Sequence, residues 1–190
     1  VKPRHEVKLE DRRVFVQVVE GLLRHGVGER VTPRLRERLK QVGLDLDRPL
    51  LPAYPVTQWM HCLHIILEEV YPGLPREEGF RQLAAHHVEG YGQTLVGRAM
   101  MRLLRLLGPK RTVQQMVQAL RSGDNYTEVR LKELEPGTWE MWMNSVLDAP
   151  GYAEALFVSF LKASGAAEPH VAIVRREEGA TVYLLRWKER

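Results

Sequence analysis

At Tyr126 the apolar residues change period, and that change constrains the fold more than any other feature of the sequence. Before it, apolar positions recur every three or four residues between glycines and prolines, as a series of helices requires. After it, YTEVRLKEL and TWEMWMNSVL alternate about Pro136 and Gly137. PGYAEALFVSFLKASG then recovers helical spacing from about Pro150, and HVAIVRR and TVYLLRW alternate about Glu178 and Gly179, as in a hairpin. The expected class is α+β: a helical N-terminal portion packed with a mainly antiparallel sheet, the C-terminal portion running β-β-α-β-β. A polar N-terminal segment, 1–12, precedes a single α+β domain over 13–188. A chain of 190 residues suffices for one core, with two compact subdomains as the alternative that the midway change leaves open.

Within the helical portion, VFVQVVEGLL at 14–23 is read as a strand, because Val14, Val16 and Val18 alternate and valine favours strands. Thr32 and Pro33 offer a cap and first turn for a helix ending at Gly43, and prolines at 49, 52 and 55 mark an ordered connector. A helix over about 57–70 carries Trp59, Leu63, Ile66 and Val70 on one stripe, and Pro72, Gly73 and Pro75 end it. REEGFRQLAAHH leads into a helix through 87–100, Gly108 and Pro109 stop it, and TVQQMVQALRSG supplies another.

The stretch HVEGYGQTLVGRAM contains Gly90, Gly92 and Gly97. A dinucleotide fingerprint needs a strand before GxGxxG, and a phosphate loop ends in Lys-Ser or Lys-Thr; neither is present. The charged flanks leave too short an apolar span for membrane dimerisation. Gly90 and Gly97, seven residues apart, are expected on one helix face, with Leu95, Val96, Met100, Leu103 and Leu107 spreading apolar cover around it. The missing side chains admit either a close backbone neighbour or a ligand.

With 28 basic and 24 acidic residues the formal charge is +4. No basic tail, zinc-finger spacing or RNP-like aromatic motif accompanies it, so nucleic-acid binding is not expected. The sequence lacks a signal-peptide core and any apolar run of about 20 residues. Integral membrane association is therefore not expected, and the cytoplasm is the simplest compartment. Cys62, the only cysteine, reads as a small core residue or as a nucleophile without a specified base.

His61, His64 and Glu68 fall on neighbouring positions of one helix, where an exposed polar edge competes with metal coordination, and no metal is expected. His86 and His87 are adjacent and diverge around a helix. Arg98, Arg102 and Arg105 form a basic ridge. Arg121, Asn125, Tyr126 and Glu128 gather where the last front helix meets the first rear strand, and Tyr91 offers a hydroxyl on an apolar face. In WEMWMN, Trp139, Met141 and Met143 share one strand face while Glu140, Trp142 and Asn144 share the other. Tyr91, Arg98, Arg121, Asn125, Tyr126, Glu128 and Trp142 are accordingly the candidate ligand- or partner-binding residues, with Gly90, Gly92 and Gly97 structural and no catalytic residue assigned.

The ordered series EGLLR, DLDRPLLPAYP, EGYGQTLVGRA, LLGPKR, SGDNYTE and the closing apolar hairpin resembles a family of uncharacterised proteins expanded as paralogues in myxobacteria. Glu20 and Gly21 match its early pair; Glu89, Gly90, Tyr91, Gly92, Thr94 and Gly97 match its central stretch; Arg121, Asn125, Tyr126, Thr127 and Glu128 match its polar signature. Leu120 and the Gly123-Asp124 pair depart from that signature. The family supplies no established catalytic residue. More distantly, helices followed by β-β-α-β-β look like the fold group of vinyl-reductase-associated domains, haem-nitric-oxide-binding domains and transport-particle subunits. That likeness implies an apolar cavity or a dimer surface. The tyrosine-serine-arginine motif associated with haem is missing, so no cofactor is expected.

These readings converge on a non-enzymatic cytoplasmic regulatory or protein-interaction module, a homodimer or one docking another protein. The alternative is a sensor or carrier of a small apolar or amphipathic ligand. A cysteine- or histidine-dependent enzyme ranks third.

Overall fold

The computed structural model describes residues 6–144 and 148–188. A short strand β1 (Arg13–Phe15) pairs antiparallel with β2 (Ala53–Pro55), Val14 opposite Tyr54. The strand expected over 14–23 stops there. From Val16 the chain is helical, as α1 (Val16–Glu20) and a π-helical continuation, Gly21–Gly26. Val19, Leu22 and Leu23 recur at three and four residues and are all buried, so helical burial outweighed valine's strand preference.

The middle helices follow their punctuation. In α2 (Pro33–Gln41) the Thr32 hydroxyl accepts from the Leu35 amide at 3.1 Å, and Leu35 and Leu39 are fully buried. The helix α3 (Val56–Val70) buries Trp59, Cys62, Leu63 and Ile66. Arg38 of α2 donates to Glu68 at 2.6 Å and Glu69 at 2.7 Å, tying the two helices.

Next come α4 (Arg76–Gln93) and α5 (Leu95–Gly123). The single helix expected through 87–100 is interrupted. Thr94 is extended (ψ 159°); its hydroxyl accepts from the Gly97 amide at 2.9 Å and donates to the Tyr91 carbonyl at 2.8 Å. A threonine that can cap a new helix ends the old one. Gly90 and Gly97 therefore belong to different helices rather than to one face. Gly108 (φ +73°) divides α5 into two halves, and Pro109 opens the second, where its missing N–H costs nothing.

The rear half is a four-stranded sheet ordered β3-β4-β6-β5, antiparallel throughout. Its strands are β3 (Val129–Glu135), β4 (Thr138–Met143), β5 (Ala167–Glu177) and β6 (Ala180–Lys188), with α6 (Tyr152–Ala163) between β4 and β5. This is the α+β architecture expected from the sequence. Residues 1–5 of the N-terminal segment and 145–147 of the stretch TWEMWMNSVL lie outside the described residues, as do the side chains of Leu95 and Val96.

Alternation assigns Trp139, Met141, Met143, Tyr183 and Leu185 to the inner sheet face, where Phe157 and Leu161 of α6 and Val113 and Met116 of α5 cover them. The front helices bury a second cluster around Leu22, Leu35, Leu63, Ile66 and Phe80. Leu156 of α6 packs against both clusters. Among the described residues, no helix is long and apolar enough to cross a membrane.

Candidate functional site

The residues singled out by sequence fall at three places. The first is the joint between α5 and β3. Asp124 is buried, and its carboxylate accepts from the Tyr126 amide at 2.9 Å, the Thr127 amide at 2.6 Å and the Thr127 hydroxyl at 2.5 Å. A carboxylate closing three bonds over three residues fixes a turn, as the short Asx side chains do. Asn125 faces the N-terminal strand: it accepts from the Arg13 amide at 2.8 Å and donates to the Asp11 carbonyl at 3.0 Å. The ring of Tyr126 is buried with the Arg12 guanidinium 5.2 Å above it. Asn144 closes the joint, accepting from the Glu128 amide at 2.7 Å and donating to the Tyr126 carbonyl at 3.0 Å.

The second place is the outer sheet face. Arg130 donates to Glu128 at 2.9 Å and lies 4.4 Å over the Trp142 ring. The Trp142 indole donates to Glu177 at 3.0 Å, and Arg175 bridges Glu177 and Glu140. Glu128 and Trp142, fourteen positions apart, thus meet through Arg130. Two hydrogen bonds, from Arg175 and from Trp142, hold the Glu177 carboxyl below its usual range.

Tyr91 and Arg98 occupy the third place, on either side of the Thr94 break. Tyr91 packs near Gly21, and Arg98 donates to the Gln93 carbonyl at 2.9 Å. Arg121 is on the last turn of α5. The joint and the outer ladder are continuous through Glu128, whereas Tyr91 and Arg98 lie at the other end of α5.

Of the glycines, Gly90 makes the closest approach. An ideal Cβ there would lie 2.2 Å from the Gly26 nitrogen and 2.5 Å from its Cα, so α4 meets the π-helical turn backbone to backbone. A Cβ on Gly97 would lie 1.7 Å from the Tyr91 carbonyl oxygen. At Gly92 the nearest atom is 3.6 Å away on the Met101 side chain, an ordinary contact.

Histidines 86 and 87 do diverge. His86 Nδ1 hydrogen-bonds the Tyr71 hydroxyl, while His87 Nδ1 meets the Tyr152 hydroxyl of α6 at 2.5 Å. Although part of His87 reaches the surface, its ring is held between Tyr152 and Gly21. Burial lowers it to about 4, opposed by a hydrogen bond to the Val18 backbone. Burial also raises the Tyr152 hydroxyl. Tyr152 is sixty-five positions from His87, and no local pattern points to it. Asp124 had a readable signal, an aspartate three residues before a threonine at a helix end.

The metal reading of His61, His64 and Glu68 meets a different arrangement. His61 is exposed, His64 lies edge-on to Phe80 with Asp148 at 3.7 Å, and Glu68 is engaged by Arg38. Among the described residues no group of three metal-ligating side chains occurs. Cys62 is fully buried and burial pushes its thiol up to about 12, so it serves as core and not as a nucleophile. A cleft of about 30 Å³ between α6 and the sheet, lined by Met143, Glu154, Ile173, Arg176 and Tyr183, has room for water and no larger ligand.

This fold is shared with H-NOX domains over almost the whole chain. An oxygen-binding H-NOX domain related to soluble guanylate cyclases, described as an oxygen complex, has a TM-score of 0.59 at 16% identity, covering 90% of this chain and 94% of that one. A structure described for modulating haem redox potential through protein-induced porphyrin distortion has a TM-score of 0.60 at 16% identity, covering 90% and 94%. The Fe(II) unliganded H-NOX protein from K. algicida has 0.57 at 10% identity, covering 92% and 96%. No curated protein matches the chain significantly.

The donors present here do not fit a haem. Among the described residues, α5 has no histidine, His25, His61 and His170 are exposed, His64 is paired on an edge, and His86 and His87 are each spent on a tyrosine. Recruiting either of the last two breaks a partly buried hydrogen bond. What the sequence itself matches, over residues 12–188, is the family described as "Protein of unknown function (DUF2378)", and the chain belongs to that family.

Proposed function

We propose that this protein is a sensor or carrier domain that holds a small amphipathic molecule at the kink of α5, over the inner face of the sheet, and does no chemistry on it. The observation that carries this reading is the indole N–H of Trp139. It is buried on the inner face of β4 and has no acceptor among the described residues. A buried unpaired donor costs about 1–3 kcal/mol, and a ligand acceptor removes that cost. Lys110, just beyond the Gly108 kink, stands 6.0 Å over the same ring.

The neighbouring helix supports an apolar wall. Between Gly97 and Leu107, Leu104 is the one large side chain fully buried; Met100, Met101 and Leu107 are half-buried. Methionines that are not locked in a core adapt readily to a guest. The same fold accommodates oxygen in the H-NOX domain described as an oxygen complex. With Cys62 buried and no triad of metal ligands among the described residues, binding is the activity the side chains support.

The test uses 1-anilinonaphthalene-8-sulfonate, an apolar body with an acceptor group. Saturable binding with one site per chain is expected, weakened about tenfold by Trp139→Phe, the loss of one hydrogen bond to a charged acceptor. Native mass spectrometry of freshly purified protein reads any resident ligand directly. Absence of saturable binding, or indifference to Trp139→Phe, sinks the proposal.

A further inference from the structure

The outer face of α5 carries an observation that does not depend on the ligand. From Leu95 to Gly123 the helix bears Arg98, Arg102, Arg105, Lys110, Arg111 and Arg121 and no acidic residue, in a chain that holds 24. Several cations elsewhere are neutralised, Arg38, Arg81, Arg130 and Arg175 each reaching a glutamate, while among the described residues Lys132 and Lys162 stand singly on other elements. Lys110 pairs with Glu133. Arg102, Arg105 and Arg111 are exposed and, among the described residues, have no hydrogen bond or ion pair. Arg98 reaches only the Gln93 carbonyl.

Helical geometry brings these charges together. At 100° per residue Arg98, Arg102 and Arg105 fall within about 60° of one another, and Leu106 and Leu103 continue the same outward side. Leu106 is 85% exposed and Leu103 44%. An apolar stripe beside unpaired arginines is the surface that lies in a lipid–water interface, the leucines entering among acyl chains and the arginines reaching headgroup phosphates.

We propose that the first half of α5 is a peripheral docking face for anionic lipid surfaces. Charge complementarity selects this occupant over a second copy, because a two-fold contact would set the unpaired arginines against themselves.

The full chain is sedimented with phosphatidylcholine vesicles, with and without about one phosphatidylserine in three lipids. Binding is expected to the anionic vesicles alone and to fade between about 0.1 and 0.5 M salt. Arg102→Gln with Arg105→Gln is expected to weaken it about 25-fold, at about fivefold per arginine, and Arg102→Glu with Arg105→Glu further still. Leu106→Asn is expected to weaken it a few-fold. The control, Lys132→Glu with Lys162→Glu, changes net charge equally from exposed positions elsewhere and is expected to stay within about twofold. Equal losses from the two reversed pairs, equal binding to neutral vesicles, or no vesicle binding overturns the proposal. Self-association or capture of polyglutamate without vesicle binding also overturns it, by assigning the face to protein.

Discussion

The crossing of α4 over the π-helical turn and the first half of α5 are opposite ways of placing a helix. At the crossing side chains are deleted, and Gly90 and Gly26 bring two backbones into contact. In α5 side chains are present but not enclosed, with Leu103 and Leu106 turned to solvent and Met100 and Met101 half-covered. The first arrangement has a single solution and tolerates no added atom. The second leaves a helix bounded by Thr94 and Gly108 with much of its apolar surface uncommitted, as a site that must admit or meet something requires. On the binding reading proposed above, rigidity and recognition fall to neighbouring segments within the same stretch of sequence.

The largest expected effect breaks the first region. Gly90→Ala places a methyl inside the Gly26 backbone, which cannot rotate away as a side chain does, and is expected to cost at least about 3 kcal/mol in chemical denaturation. If Gly90→Ala unfolds within about 0.5 kcal/mol of the parent, the two backbones are not in contact and the contrast fails. Gly92→Ala, two residues later on the same helix, meets only Met101 at 3.6 Å. It is expected to be neutral or to stabilise by up to about 1 kcal/mol, through alanine's helix propensity.

Next in size is a pH effect at the inner end of the crossing. His87 titrates at about 4 when folded and at about 6.5 when unfolded. Between those values the unfolded chain binds more protons, so this contribution is intact above about pH 6.5 and is lost as pH falls through 4. The loss approaches about 3 kcal/mol at full protonation. Unfolding free energies at pH 7 and 4.5 should differ by more in the parent than in His87→Gln; equal differences remove His87 as the cause.

Legibility followed the range of the physics involved. Local signals placed α2 by Thr32 and Pro33, the hairpins by Gly137 and Gly179, and the outer face of β4 by alternation at Glu140 and Trp142. Apolar run 14–23 misled, because a short mixture of alternation and continuity fits strand and helix alike until its burial partner is known. For the glycine stretch the sequence leaves both a close neighbour and a ligand open, with the Gly90–Gly26 approach visible only in three dimensions, and the expectation of one helix through Gly97 fails because Thr94 also suits a helix interior facing solvent. At the candidate site, the clustering of Asn125, Tyr126 and Glu128 was readable from sequence, whereas the His87–Tyr152 bond and the unpaired Trp139 indole depend on contacts between distant segments. Alternation groups Trp139 with Met141 and Met143 on one face but carries no information about an acceptor for its indole.

The smallest expected effect sharpens the second region. Leu104 and Leu106 are two residues apart on α5, of equal volume and equal helix propensity, at 4% and 85% exposure. Leu104→Ala is expected to cost about 2–4 kcal/mol, the range for emptying a buried leucine site. Leu106→Ala removes the same atoms from water and is expected to change stability by less than about 0.5 kcal/mol. Alanine is also the better helix former, so the sign at Leu106 is expected to be slightly stabilising. A loss comparable to that at Leu104 shows that a copy of the chain covers Leu106 in solution, because burial is the only large term a leucine methyl contributes. That outcome is distinguished by repeating the melt over a dilution series, in which a covered leucine makes the midpoint fall with concentration and an open one leaves it unchanged.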